Sequence, residues 1–368
     1  METSRALLLL VRSIASPASL RALLERMGSP EAVLAAGPCL WREAGLDQDT
    51  IARLGETRLP ANDLAWLEAP GHHLIGWLDP DYPALLQRVA NAPAALFVAG
   101  DPDLLWHPQV AVVGTRRPSA GGREHARRFA RAFTRAGLAV VSGLAEGIDT
   151  AAHLGALEEG RTLAVVATGP DLCFPAGNAA LHQKIAEAGA IVSEFPPGTR
   201  ARREYFPRRN RLIAGLSLGT VVIEAAQRSG ALITARMAAD AGREVYALPG
   251  SILNPVARGC HRLIREGAGL VESPEEVIAG LTPVAVELGD ALRGRLSESA
   301  ASASPDPRPE PEGPDARRLW RALDHDPVNL DQLSARSGLT VAALSSMLLA
   351  MELEGRVVTE HGRYARRF

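Results

Sequence analysis

The stretch QVAVVGTRRPS, residues 109–119, decides the fold of this chain. Its apolar run at 110–113 is followed at once by a glycine and then by small or basic residues. Continuous apolar runs of this length are typical of parallel strands that are buried on both faces of a sheet. Small residues after such a strand let backbone amides approach a phosphate. The stretch therefore predicts a buried strand that ends in a turn able to bind an anion.

The same pattern recurs further along the chain. Apolar runs lie at 139–141, 163–167, 190–192, 220–223 and 245–248, and amphipathic stretches separate them. Between the first two runs, Phe129 and Phe133 share one helical face, while arginines spaced four apart occupy the other. This alternation predicts an α/β domain over residues 109–282, with a doubly wound, Rossmann-like parallel sheet.

Sequences on both sides of this domain indicate further units. Residues 1–67 carry apolar positions at helical spacing, broken by glycine and proline, and predict a small all-helical N-terminal domain. Residues 68–108 are rich in proline and are interpreted as a connecting arm with one extended piece at 95–98. Residues 283–314 include a serine, proline and acid-rich stretch and predict a flexible linker. Residues 315–368 follow the order of a winged-helix domain.

Composition limits the possible functions. The chain has 368 residues and a formal net charge of −2, so any nucleic-acid binding must be local. Lys184 is its only lysine, which excludes a GxxxxGK[ST] phosphate-binding loop. Cys39, Cys173 and Cys260 are too widely spaced for a metal pattern or a disulfide framework. No apolar run approaches the roughly 18 residues of a spanning helix. We expect a cytoplasmic protein without a metal, a cofactor or a membrane segment.

The segment RARREYFPRRNR, residues 200–211, contains six arginines and two aromatic residues. Arginine forks match phosphate oxygens, and the rings of Tyr205 and Phe206 offer flat faces on which unpaired bases can stack. The segment therefore predicts binding of a polyanion, with single-stranded nucleic acid as the natural candidate.

Residues at the ends of the predicted strands point the same way. The runs end in turns at 114–119, 142–147 and 168–169, at Glu194 and Glu224, and at 249–251. Ligands of open α/β sheets bind beyond the carboxyl ends of the strands. Several small, amide-rich turns side by side therefore predict a groove for several phosphates.

Enzymatic alternatives have weaker signals. The first turn reads Gly-Thr-Arg-Arg instead of GxGxxG, which disfavours a dinucleotide site. Asp149 and His153 lie four apart and form either an acid–base pair or, as we favour, a structural pair. The alternative function is a nucleotide hydrolase that cleaves an N-glycosidic bond with Glu224 as general base. No catalytic residue is assigned.

Seven motifs resemble one known family, the DNA-processing protein A family, called DprA or Smf. They are VAVVGTRRPS (110–119), SGLAEGIDTAAHLGAL (142–157), SEFPPGT (193–199), FPRRNRLIAGLS (206–217), RSGALITA (228–235), GREVYALPGSILNP (242–255) and RGCHRLI (258–264). The resemblance covers the whole predicted α/β domain. One departure is Ala176 in the third turn, where some members carry a basic residue.

The resemblance implies a dimeric, non-enzymatic protein that binds single-stranded DNA in natural transformation and promotes loading of the RecA recombinase. It implies dimer and recombinase contacts at about 245–271. Together with the turns, it predicts these single-stranded DNA contacts: Gly114, Thr115, Arg116, Arg117, Ser119, Ser142, Gly143, Gly147, Arg203, Phe206, Arg208, Asn210 and Arg211.

Overall fold

The computed structural model describes residues 2–55, 59–302, 313–323, 328–353, 357–360 and 363–366. The helices are α1 Glu2–Ser13, α2 Pro17–Met27, α3 Pro30–Ala35, α4 Gly37–Glu43, α5 Gln48–Gly55, α6 Ala61–Glu68, α7 Ala84–Gln87, α8 Ala120–Arg135, α9 Ile148–Leu157, α10 Ala179–Ala188, α11 Tyr205–Leu216, α12 Gly230–Asp240, α13 Arg258–Arg265, α14 Pro274–Ser302, α15 Pro314–Ala322, α16 Leu330–Ser337 and α17 Val341–Leu353. Contacts between residues divide the chain into two compact units, Met1–Gly289 and Asp290–Phe368.

The strands belong to two sheets. They are β1 His72–Gly76, β2 Ala95–Gly100, β3 Gln109–Val113, β4 Ala139–Ser142, β5 Thr162–Val165, β6 Ala190–Ser193, β7 Gly219–Val222, β8 Glu244–Ala247, β9 Gly269–Leu270, β10 Val328–Asn329, β11 Val357–Glu360 and β12 Arg363–Arg366. The larger sheet has the order β1-β2-β6-β5-β4-β3-β7-β8-β9. All its neighbours from β6 to β9 pair in parallel.

The predicted doubly wound parallel sheet is confirmed. From β3 the chain adds β4, β5 and β6 on one side, then returns to place β7 and β8 on the other. The sheet therefore reverses its direction of growth between β3 and β7, where ligands of such folds bind. Each of the six predicted apolar runs overlaps one of the strands β3 to β8.

Burial on both faces explains why β3 is continuously apolar. Successive side chains of a strand point to opposite faces. Val112 lies in the cluster that contains Phe129 and Phe133 of α8. Val113 lies in another cluster, with Leu212 of α11. An uninterrupted apolar run is therefore what this position in the sheet requires.

The predicted connecting arm at 68–108 is wrong in one respect, because this stretch contains strands of the main sheet. β1 pairs with β2, and β2 pairs with β6, in both cases antiparallel. The prolines at positions 80, 83 and 93 fall between the two strands. The extended piece predicted at 95–98 lies within β2, whereas β1 and the membership of both strands in the main sheet were not predicted.

The N-terminal helices share a hydrophobic core with this extension of the sheet. Leu10 and Leu24 lie in the same cluster as Phe97 of β2 and Ile191 of β6. Helix α2 begins with Pro17 behind the N-cap Ser16 and ends at Gly28, which adopts a φ of 83°. The boundaries predicted for a separate helical domain, residues 1–67, stay a prediction.

The predicted linker at 283–314 begins too early. Helix α14 starts at Pro274, as the capping sequence predicts, and its backbone stays helical through Pro283 to Ser302. The rest of that linker up to residue 312 lies outside the described residues.

The C-terminal unit has the predicted winged-helix order. Strand β10 lies between α15 and α16, and β11 and β12 follow α17. The three strands form a small sheet of order β10-β12-β11, and Leu319, Leu333 and Leu344 share the core of this unit. Helix α17 carries neither lysine nor arginine, which favours a protein contact over reading of a DNA groove by this helix. Among the helices that the structure describes, none is both long and apolar enough to cross a bilayer.

Candidate nucleic-acid interface

The turns at the carboxyl edge of the large sheet are joined to one another by hydrogen bonds. Ile148 N donates to the carbonyl of Thr115 (3.2 Å), which joins the second turn to the first. Asn178 Nδ2 donates to the carbonyl of Leu144 (2.9 Å), which joins the third turn to the second. Gly169 N donates to the carbonyl of Thr199 (2.8 Å), which joins the third to the fourth. The edge is therefore one connected surface.

Gly147 permits the approach of the second turn to the first. Its φ of 85° lies in the left-handed region that favours glycine. A Cβ at this position would lie 2.5 Å from the carbonyl oxygen of Thr115. Gly147 therefore acts by bringing the first two turns together.

Glu224 holds the first turn in place. Its Oε2 accepts from Ser119 N (2.9 Å) and its Oε1 accepts from Ser119 Oγ (2.6 Å). Asn254 Nδ2 donates to the same Oε1 (3.3 Å), and Thr115 N donates to the Glu224 carbonyl (2.7 Å). The Glu224 carboxylate thus accepts hydrogen bonds from segments on both sides of the position, between β3 and β7, where the sheet reverses its direction of growth. This arrangement favours a structural role over that of a general base.

Three side chains from separate segments meet at this edge, and we call them the aromatic cradle: Arg116, Phe174 and Phe206. The Arg116 guanidinium carbon lies 5.7 Å from the centroid of the Phe206 ring. The Phe174 ring centroid lies 5.7 Å from that of Phe206, with the planes at 59°. Arg116 is exposed and Phe206 is half-buried. The structure thus places two predicted contacts, Arg116 and Phe206, beside each other.

Phe174 is the member that the sequence analysis missed. It is 48% exposed, in the loop of the third turn, for which only Ala176 was considered. Its contact with the ring of Phe206, and not its exposure alone, makes it part of the site. The available signal was an aromatic residue among small and polar ones in a loop after a predicted strand.

The first half of the arginine segment is open to solvent. Arg200, Arg202 and Arg203 are exposed and precede α11. The Arg202 guanidinium carbon lies 5.7 Å from the centroid of the Tyr205 ring. Tyr205 stacks on Phe195 with a centroid distance of 4.2 Å, so one of its faces is already covered. Arg117 in the first turn is also exposed.

The second half of the segment contacts the protein itself. Arg208 Nη2 lies 3.2 Å from Glu194 Oε2, and Arg211 pairs with the same oxygen. The side chain of Glu194 is 2% exposed, that of Arg208 41% and that of Arg211 12%. Arg211 also donates to the carbonyl of Asn91, and burial lowers its pKa. Of these two predicted contacts, only Arg208 retains a largely accessible guanidinium.

Arg209 is buried under the second turn. Its Nη1 donates to the carbonyls of Gly143 and Val165, the latter at 2.9 Å. Burial lowers its pKa to about 10, so the guanidinium remains cationic at neutral pH. A Cβ on Gly143 would collide with this guanidinium. Glycine at 143 therefore makes room for Arg209.

Two of the predicted DNA contacts need correction. The Ser142 hydroxyl, expected to bind phosphate, is fully buried and donates to the carbonyl of Val112 (2.7 Å). The Gly143 amide donates to Asp149 Oδ2 (3.2 Å). Both groups are occupied by the protein because the second turn folds inward over Arg209. Asn210 is only 9% exposed and belongs to the same buried side of α11.

Asp149 and His153 form structural contacts. Asp149 accepts from the amides of Gly143 (3.2 Å) and Ala145 (3.4 Å), and burial raises its pKa. His153 Nδ1 lies 2.8 Å from Thr162 Oγ1, and burial lowers the pKa of the imidazole to about 3. A histidine that is neutral and fully buried cannot exchange protons with a ligand at the edge. The structural interpretation favoured by the sequence is the one the geometry supports.

The fold and this edge define a class: Rossmann-like α/β proteins whose carboxyl edge carries arginine and aromatic side chains, combined with a winged-helix unit. Within that class, the chain belongs to the DNA recombination-mediator protein A family, whose sequence model matches residues 73–282. A model of the DprA winged helix domain matches residues 303–363. The resemblance predicted from the motifs is confirmed.

Named relatives agree with this assignment. The chain is 40% identical over 307 residues to protein Smf of Escherichia coli (strain K12), which covers 83% of this chain and 80% of the relative. It is 46% identical over 203 residues to the DNA processing protein DprA of Streptococcus pneumoniae, covering 55% of this chain and 72% of the relative.

Two solved structures are similar to it. The X-ray structure of DprA from Streptococcus pneumoniae has a TM-score of 0.67 and 37% identity, covering 75% of this chain and 97% of that one. The DprA of Helicobacter pylori, described for its single-stranded DNA binding mode, has a TM-score of 0.51 and 30% identity, covering 55% of this chain and 93% of that one.

Proposed function

We propose that this protein binds single-stranded DNA along the carboxyl edge of its large sheet and carries out no chemistry on it. The observation that carries the proposal is the aromatic cradle, in which Arg116, Phe174 and Phe206 converge from three segments. Such a cluster supplies base stacking and a phosphate-binding cation at one place. The H. pylori relative, described as binding single-stranded DNA, supports the choice of ligand.

The mode of binding follows from the side chains on the edge. Phenylalanine rings stack on any base, because every base has a flat π-face. The exposed cations Arg116, Arg117 and Arg203 contact the backbone, which is the same for every sequence. We therefore expect strong salt dependence and little sequence preference. Ser119, Ser142, Gly143, Gly147 and Asn210 act by shaping this edge.

The decisive experiment compares Phe206→Ala and Arg116→Ala with the parent, using fluorescence anisotropy of a labelled oligothymidine over a salt series. Phe206→Ala loses a stacking surface and weakens binding by about 1–3 kcal/mol, roughly 5- to 150-fold. Arg116→Ala lowers the slope of log K against log salt by about 0.7, because one fewer phosphate is neutralised.

Arg135→Ala is the matched control. Arg135 is exposed and ends α8, whereas the first turn lies at the start of that helix, and it pairs with Glu159. Arg135→Ala changes the net charge by the same amount as Arg116→Ala, and it should leave the affinity for oligothymidine near the parent value. If both cradle variants bound oligothymidine as the parent does at every salt concentration, the proposed function would be wrong.

For the cellular role, we propose that the protein receives and protects incoming DNA in the cytoplasm during natural transformation and promotes RecA loading. Membership of the recombination-mediator family supports this role. The test is the rate at which RecA assembles on single-stranded DNA covered by single-strand binding protein. An unchanged rate when this protein is added contradicts the loading role.

We propose further that the protein is a homodimer through its α/β domain, near residues 245–271. Exposed apolar side chains in this range support the proposal: Ile252 is 78% exposed, Leu253 85% and Leu270 49%. Sedimentation equilibrium should give a dimer for the parent and a shift toward monomer for Leu253→Glu. A parent that stays monomeric at micromolar concentration contradicts it.

A further inference from the structure

A second basic cavity lies beside α11, between this helix and the start of α2. It encloses about 410 Å³. Arg208 and Arg211 line it from α11, and Ser16, Ala18 and Arg21 line it from the N-terminal helical region. We call it the arginine pocket. None of the motifs that carry the family resemblance includes the N-terminal part of its wall.

We propose that the arginine pocket is a second phosphate site for the same single strand of DNA, so that the N-terminal helices extend the DNA path beyond the aromatic cradle. This inference rests on the proposed function. The ligand chemistry is that of a polynucleotide backbone.

The balance of charge in the pocket favours an anion. Three arginines, Arg21, Arg208 and Arg211, line the cavity. The one carboxylate paired with them is that of Glu194, which binds Arg208 and Arg211, is 2% exposed and does not itself line the cavity. The nearby carboxylate of Glu25 is held by Trp77 Nε1 (2.7 Å) and does not line the cavity. A net positive charge in a concave, partly buried site attracts phosphate more strongly than the same charge on a flat surface.

Two contacts fix the guanidinium of Arg21 at the wall of the pocket. Its Nη2 donates to the carbonyl of Ala90 (3.0 Å), and its guanidinium carbon lies 5.0 Å from the centroid of the Trp77 ring. The Trp77 ring and the Ala90 carbonyl fix the plane of the guanidinium, which preorganises it for a phosphate.

The start of α2 adds to the attraction. This helix has 11 residues, and Ser16 and Ala18 at its N-terminus line the pocket. In this first turn Pro17 has no N–H and Ser19 N donates to Ser16 Oγ (3.2 Å), so the contribution of the helix end is chiefly that of its dipole, which favours a negative charge there. The helix end and the three arginines therefore act on the same cavity.

The pocket lies within reach of a strand that occupies the cradle. Phe206 and Arg208 are two residues apart on α11 and so point to roughly opposite sides of the helix. A helix with its side chains is about 10–12 Å wide, which is the distance a strand must cross. The Arg208 guanidinium carbon lies 4.9 Å from the centroid of the Phe195 ring and 5.8 Å from that of Tyr205, the first residue of α11.

The test uses Ala18→Glu, with Ala18→Gln as its matched control of equal size. Ala18 is exposed on the first turn of α2, where an added carboxylate is compatible with the helix dipole and leaves folding intact. Anisotropy is measured with oligothymidines of about 6 and about 20 nucleotides, lengths that span one site or both. Ala18→Glu should bind the longer strand about tenfold more weakly and the shorter one unchanged, while Ala18→Gln matches the parent.

A second pair of variants removes a charge. Arg21→Ala should lower the salt slope for the longer strand by about 0.7, whereas Arg26→Ala, exposed on the same helix outside the pocket, should not. Thermal melting checks that each variant is folded.

Two results overturn the inference: parent-like binding of the longer strand by Ala18→Glu, or equal losses at both lengths. Phe206→Ala separates the two proposals. If it weakens both strands while Ala18→Glu weakens neither, the cradle stands and the arginine pocket fails; if neither variant has an effect, the proposed function fails as well.

Discussion

The two halves of the segment 200–211 have nearly the same composition but occupy different environments. Arg200, Arg202 and Arg203 are exposed to solvent. In the second half, Arg209 is buried with its guanidinium on two backbone carbonyls, and Arg211 pairs with Glu194. A run of arginines in a sequence is therefore not a single surface, because the periodicity of the backbone decides which cations remain accessible.

Helical spacing explains the division. Arg209 lies three, four and seven residues before Leu212, Ile213 and Leu216, all of which are buried. These positions form one face of a helix, so Arg209 belongs to the stripe that packs on the sheet. The loop before α11 has no such face, and its arginines point outward.

The sharpest test of this comparison is Arg209→Met against Arg202→Met. Loss of Arg209 leaves the carbonyls of Gly143 and Val165 without this donor and removes the stronger of the two arginine charges that act on buried Asp149. We expect the free energy of unfolding in urea to fall by about 3–5 kcal/mol. Arg202→Met should change it by less than about 0.5 kcal/mol. Equal effects of the two substitutions would remove the distinction between the halves.

His153 reports the same buried environment through pH. Burial, with a smaller contribution from the Arg209 charge, lowers the pKa of His153 to about 3, whereas the unfolded chain titrates at 6.5. Between those two pKa values only the unfolded state binds this proton. The contribution of neutral His153 to the free energy of unfolding is therefore fully present above pH 6.5 and is lost as the pH falls. From about pH 7 to about pH 5 this group removes about 2 kcal/mol.

The measurement is urea unfolding of His153→Gln and the parent at several pH values. Between about pH 7 and about pH 5, the free energy of unfolding of His153→Gln should fall by about 2 kcal/mol less than that of the parent. His125→Gln, at an exposed position, should follow the parent. Identical pH profiles for parent and His153→Gln would contradict the assignment.

The smallest effect is expected in the exposed half. Arg203→Ala should leave stability unchanged and weaken oligothymidine binding by less than about 1 kcal/mol at moderate salt, with a salt slope reduced by about 0.7. The check is anisotropy over a salt series, with Arg135→Ala again as the control. A loss of stability larger than the loss of binding would place Arg203 with the buried half.

The sequence was sufficient for the central sheet because six apolar runs, each followed by small or acidic residues, admit few other folds. It identified the extended piece 95–98 within β2 but missed β1 and the pairing of both strands with the sheet, since β1 pairs with β2 in antiparallel fashion and β6, the other partner of β2, is remote in the chain. The local composition of a segment carries no information about pairing with a strand that is distant in the sequence.

For the site, the motifs identified Arg116 and Phe206, which the structure places together. They could not separate Ser142 and Gly143, whose polar groups are turned inward, from the exposed turn residues, because that depends on where Arg209 lies. Phe174 was missed because its contact with Phe206 joins segments 32 positions apart in the chain.

The antiparallel attachment of β2 to β6 also sets the order of events during synthesis. β2 is complete at Gly100, but its partner begins at Ala190, so about 90 further residues must be translated first, which takes roughly 5–20 seconds at ordinary ribosomal speed. Phe97 and Leu74 can meanwhile pack against α1 and α2, which have already emerged. The nascent hairpin of β1 and β2 thus has one face buried, while the edge of β2 stays unpaired until β6 has been synthesised. A chaperone that binds strand edges would act in this interval.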